Sequence, residues 1–191
     1  PARVEAMITP RTTGILATHL WGQPCDIVAL QHIAERKKIK LIFDASHAFG
    51  CIYQGAKIGN FGDAEIFSFH ATKFMNTFEG GAVATNDDKL AQKIRLMKNF
   101  GFGGLDNVIY IGTNGKMNEV SAAMGLTSLE SIDEFIETNR LNYKEYEKGL
   151  SKIPGLHLLP YEENEKRNYL HLFLKVWEKK VSQLMKRFKK K

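Results

Sequence analysis

Cysteine is scarce in this chain: Cys25 and Cys51 are the two it has. Their placement builds neither a disulfide framework nor a metal-ligand set. Both read as small buried residues of a protein kept in a reducing compartment, so a cytoplasmic location and no metal are expected. Long apolar runs are missing too. Nothing approaches the ~20 residues of a membrane-spanning helix, and no membrane association is expected. No signal peptide is visible, although a chain that opens at Pro1 leaves room for a leader upstream. Repeats and low-complexity linkers are absent. Acid is absent from the last thirteen residues, KKVSQLMKRFKKK, which hold seven Lys or Arg. The remainder carries 20 basic against 21 acidic residues, so the net charge of +6 belongs to one tail. With no basic, aromatic-studded face elsewhere, nucleic acid is not an expected partner.

The rest is ordinary. A chain of 191 residues with 43% hydrophobic and 25% charged residues can bury one sizeable core. Gly14 to His19 reads as a short buried strand. Asp26 reads as the cap of a helix to about Lys38, with Ile27, Leu30, Ile33 and Ala34 on its inner face. Leu41 to Phe43, Ala64 to Phe69 and Ala82 to Thr85 read as further strands. Asp87 or Asp88 caps a helix with Leu90, Ile94 and Met97 inward, ended by Gly101. A long helical stretch runs from about Asn118 to Leu150, bent near Ser131. After the breaker Pro154-Gly155, Leu156 to Leu159 and Tyr169 to Val176 read as strands of a smaller layer. Strands alternating with helices predict an α/β fold: a mostly parallel sheet covered by helices over 1–150, followed by part of a small α+β domain over 151–191. In such sheets the chemistry sits beyond the strand ends.

Two strand-end residues stand out. Asp44 closes the run Leu41-Ile42-Phe43, where a carboxylate is costly without a partner. Alone it would read as a turn or cap residue. Lys73 follows the strand Glu65-Ile66-Phe67-Ser68-Phe69 after a short polar stretch, and alone would read as a surface lysine. As a pair they suit pyridoxal phosphate. Its aldehyde takes a lysine amine as a Schiff base, and its ring nitrogen needs a carboxylate to stay protonated. Ser68 could donate to the phosphate.

The segments FDASHAFG (43–50), FGDAEIFSFHATK (61–73), FEGGAVATND (78–87) and GTNGKMNEVSAAMGL (112–126) occur in this order. In them the chain resembles the DegT/StrS-type sugar aminotransferases, over residues 8 to about 170. The resemblance implies the large domain of a fold type I pyridoxal-phosphate transferase. It implies an enzyme that moves an amino group, from glutamate as donor, to a keto-deoxysugar carried on a nucleotide, in amino-sugar and polysaccharide biosynthesis. Lys73 would hold the cofactor and shuttle a proton. Asp44 would pair with the ring nitrogen, His47 would lie near the ring hydroxyl, and Ser68 would bind the phosphate. Asn114 would reach the site of the neighbouring subunit, making the active unit a homodimer. Relatives with histidine in place of the lysine dehydrate instead; Lys73 favours transamination.

Each role has a plainer counterpart. His47 reads equally as a packed histidine, and Asn114 as a turn residue beside Gly115. His19 and Trp21 read as strand-end packing, His70 as an exposed loop residue, and Glu79 as shaping its loop beside Gly80 and Gly81. The resemblance also implies a segment before Pro1, including a helix N-terminus for the cofactor phosphate, so the chain reads as a fragment. Residues 177–191 read as outside the resemblance. There Val181, Leu184, Met185 and Phe188 mark one face of a basic helix, which reads as a small-domain helix, an altered reading frame or a membrane-surface helix. The alternative function is a non-catalytic dimerising or regulatory protein on the same scaffold, or an inactive fragment.

Overall fold

The structure is a computed structural model that describes residues 1–162 and 164–176. The predicted face of 181–188 lies outside the described residues. In chain order the elements are α1 (Ala2–Ala6), β1 (Gly14–Thr18), α2 (Ile27–Lys37), β2 (Lys40–Asp44), β3 (Ile52–Tyr53), β4 (Ala56–Lys57) and β5 (Ala64–Ser68). Then follow β6 (Gly81–Ala84), α3 (Asp88–Met97), α4 (Glu119–Glu130), α5 (Ile132–Leu150), β7 (Leu156–Leu158) and β8 (Leu174–Val176).

The main sheet has the order β1-β2-β5-β6. β1 and β2 are parallel, β2 and β5 are parallel, and β6 runs antiparallel to β5. The register pairs Thr18 with Asp44, and Asp44 with Ile66. The C-terminal ends of β1 and β2 are therefore level, β5 runs two residues further, and the loops leaving the three strands share one rim. Alternation places Leu41, Phe43 and Phe67 on one face, where Ile27, Leu30 and Ala34 of α2 join them in the core. On the opposite face Leu16, Ile66 and Val83 are exposed, so the described residues supply a helical layer to one face.

Helix termini follow the expected chemistry. Asp26 caps α2 by accepting from Ala29 N–H at 3.1 Å, and Lys38 closes it in a left-handed conformation. Asp87 caps α3 through Lys89 N–H at 2.9 Å and Leu90 N–H at 3.1 Å. The long helical stretch breaks at Ser131, which ends α4 and begins α5.

Three expectations change. β1 is an edge strand with alternately exposed residues, not a buried one. α3 buries none of its residues fully: Leu90 and Ile94 are half-buried and Met97 is exposed, so the periodic apolar face of this helix is only partly covered. The strand expected over Tyr169 to Val176 shrinks to Leu174–Val176. Residues Asn168 to His171 are committed to contacts with loops around the sheet rim.

Candidate active site

Asp44 ends β2, and the level register puts its carboxylate at the rim. Ser46 N–H donates to its Oδ1 at 3.0 Å. Burial alone would raise this carboxyl, but the Ser46 hydrogen bonds and the charges of His47 and Lys73 outweigh it and hold it below its ordinary 3.8. The carboxylate therefore stays ionised in the physiological range. His47 follows three residues on. Its Nδ1 accepts the backbone N–H of Trp21 at 3.3 Å. Burial, and secondarily the charge of Lys73, lower its proton affinity, while Asp44 opposes them.

Lys73 sits half-buried in the loop after β5. That loop is pinned at several points: Lys73 N–H donates to His70 O at 2.9 Å, and Asn76 Nδ2 donates to Lys73 O at 3.1 Å. Thr77 N–H donates to Phe69 O at 2.9 Å, and Phe69 N–H to Gly80 O at 2.9 Å. Ser128 Oγ of α4 donates to Asn76 O at 3.2 Å. Backbone at Gly80 has φ 155°, open to glycine. A Cβ at Gly81 would come within 2.6 Å of Phe67 O, so the Gly-Gly pair lets β6 approach β5. Glu79 shapes the loop as expected: its Oε1 lies 3.4 Å from His70 Nε2, and both are exposed.

Ser68 ends β5, and its Oγ accepts from His70 N–H at 3.4 Å. Asp44, His47 and Lys73 thus interact electrostatically, with Ser68 on the same rim. Asn114 is elsewhere: it is exposed and bridges Asn99 after α3. The described contacts do not link it to Asp44, His47, Ser68 or Lys73 within the subunit.

The packing readings of His19 and Trp21 hold. His19 is fully buried and stacks on Phe43, with ring centroids 4.8 Å apart. Its Nδ1 accepts from Cys25 N–H at 3.2 Å, so Nε2 carries the proton that it shares with Glu65 Oε1 at 3.0 Å. Trp21 adopts φ 58° and stacks on Phe173.

One residue escaped the sequence reading. His171 places its ring 4.6 Å from His47, and its Nδ1 is buried with no hydrogen-bond partner in the structure. Burial, then the charges of His47 and Lys73, lower its proton affinity. A buried ring nitrogen without a partner is rare, and fits a position where a bound group supplies one. The signal was a polar ring inside the apolar run Leu170-His171-Leu172-Phe173. Among the described residues no group of acids, histidines and cysteines could hold a metal, and no helix is long and apolar enough to cross a membrane.

The chain belongs to a family of aminotransferases. Residues 1–191 match the DegT/DnrJ/EryC1/StrS aminotransferase family, whose members are pyridoxal-phosphate-dependent. The match runs through 177–191, so the expectation that the resemblance stops before the basic tail is corrected. The chain is 42% identical to a dTDP-4-amino-4,6-dideoxy-D-glucose transaminase of Shigella dysenteriae over 157 residues, 82% of this chain and 43% of that protein. It is 39% identical to a GDP-perosamine synthase of Caulobacter vibrioides over 154 residues, covering 80% and 42%. Among solved structures, DesI crystallised with its TDP-sugar product superposes with a TM-score of 0.91 at 41% identity, covering 99% of this chain and 49% of that one. The chain thus spans about half the length of the relatives it matches.

Proposed function

We propose that the native protein is a pyridoxal-phosphate-dependent aminotransferase that passes an amino group from an amino-acid donor, glutamate, to a keto-deoxysugar carried on a nucleotide. The observation that carries this reading is the convergence of Lys73, Asp44 and His47 on one rim, with Asp44 held ionised. The residues fit the cofactor. A half-buried lysine in a pinned loop offers one amine in one place. A carboxylate held below its ordinary range can keep a ring nitrogen protonated. The partnerless Nδ1 of His171 faces a demand that the protein itself does not meet.

When bound, the cofactor supplies an electron sink for the amino-acid carbon. Lys73 Nζ would hold the cofactor and serve as the group that carries the proton. Asp44 holds the proton on the ring nitrogen. His47, fixed through Nδ1, can present Nε2–H beside the ring. Ser68 Oγ donates to the phosphate, and Asn114 of a second subunit completes that end in a homodimer. Two free cysteines are in keeping with a cytoplasmic enzyme. The names of the relatives, a dTDP-4-amino-4,6-dideoxy-D-glucose transaminase and a GDP-perosamine synthase, favour a dTDP- or GDP-linked sugar.

Borohydride reduction of the native protein with pyridoxal phosphate tests the assignment. Mass spectrometry should place the label on Lys73, and a panel of dTDP- and GDP-linked keto-sugars should identify an acceptor. A label on another lysine, or on none, would sink the reading.

A further inference from the structure

We propose that Asn168 is a positioning residue: its carboxamide clasps the loop carrying Asp44 and His47 to the segment carrying His171, and so fixes the His47 ring. This builds on the reading of His47 as part of the site. Asn168 is fully buried, which is costly for a carboxamide unless its hydrogen bonds are made. They are made, and both amide donors go to one loop. Nδ2 donates to His47 O at 2.8 Å and to Phe49 O at 3.1 Å. Oδ1 accepts from Leu170 N–H at 3.2 Å, and the backbone carbonyl accepts Asn139 Nδ2 of α5 at 3.1 Å.

The turn's own backbone bonds use the carbonyls of Ala45 and Ala48. The carbonyls of His47 and Phe49 take the amide of Asn168 instead. An apolar residue at 168 would take the amide partner from the carbonyls of half-buried His47 and Phe49 at the base of the site. His47 is gripped twice: by Asn168 at its carbonyl, and by Trp21 N–H at Nδ1. Those grips touch each other. Gly22, next to Trp21, packs so closely that a Cβ there would lie 2.6 Å from Asn168 Oδ1 and 3.2 Å from His47 O. The Tyr161 hydroxyl lies 3.0 Å from Trp21 O and 2.8 Å from His171 O, sharing one proton between them. Residues from beyond α5 therefore set the geometry at the sheet rim, and Asn168 is the link that reaches His47 itself.

The test reads the His47 ring in the native protein without added cofactor, by long-range proton–nitrogen NMR with histidine labelling. Loss of signal in His47→Gln assigns it. Wild type should show one tautomer, protonated at Nε2 and accepting at Nδ1. Asn168→Ala should lose that single pattern, while exposed His32 on α2 is unchanged. An unmoved His47 in folded Asn168→Ala overturns the proposal; if that variant does not fold, the same spectra of Asn168→Ser decide. Cofactor uptake, read by visible absorbance, separates the two ideas. A His47 change in a protein that never takes up pyridoxal phosphate leaves the clasp standing and sinks the proposed function. Uptake with His47 unmoved does the reverse.

Discussion

Asp44 shows how one carboxylate can be tuned by a strand end. Burial opposes its charge, and the Ser46 hydrogen bonds, then the electrostatic influence of His47 and Lys73, restore it. Asp44→Asn keeps a hydrogen-bonding shape and removes the charge. Turnover of the native enzyme should then fall by orders of magnitude with the fold retained; near-normal turnover would remove Asp44 from the site. The stability effect has a definite sign. A carboxyl whose folded value lies below its ordinary 3.8 contributes stability above that value and loses it as pH falls through the folded one. Wild type should therefore exceed the variant at neutral pH, and the difference should vanish on acidification, as read by urea unfolding across pH. Asp44 and Lys73 could be singled out in sequence because Asp44 closes one apolar strand and Lys73 lies in the loop just after another. Asn168 was not: its amide meets His47 across 121 positions of chain, and no local pattern announces a partner that distant.

Elements were legible where their signals are local. The caps at Asp26, Asp87 and Asn118 each accept a backbone N–H as their residue types imply. The break at Ser131 falls where the helical pattern bends. What failed depended on neighbours. Leu90, Ile94 and Met97 have helical spacing, yet spacing cannot say whether another layer lies opposite. The run from Tyr169 onward has strand composition, but Asn168 and Tyr161 draw its first residues to the rim instead. α3 yields a prediction from this. With no buried residue, it gains little from packing, so its cap carries a larger share of its stability. Asp87→Ala should cost about 1 kcal/mol. The loss should appear as faster amide hydrogen exchange along 89–97, with the strands of the main sheet little changed. Unchanged exchange in α3 would show that something other than the cap holds it.

At the scale of the molecule, apolar surface gathers where Asn114 lies. Leu105 is 97% exposed, Ile111 88%, and on α4 Val120 is 70% and Leu126 65% exposed. Apolar residues this exposed and this close in sequence suit a surface that a partner covers. The proposed homodimer supplies one: a two-fold axis would bring Asn114 of each subunit to the other's Lys73. Exposed Ala123 of α4 leaves room for close approach, whereas Gly125 is buried against its own subunit, where a Cβ would meet Thr77 at 2.8 Å. Complementation distinguishes shared from separate sites. Native Lys73→Ala and Asn114→Ala proteins, each first shown to be strongly impaired, are mixed under conditions of subunit exchange. If sites are shared, each heterodimer has one site with both defects and one with neither. Activity should then return, to about a quarter of wild type at random exchange: half the dimers are mixed, and each has one intact site of two. If each subunit builds its own site, every site in the mixture carries one defect, and no activity returns.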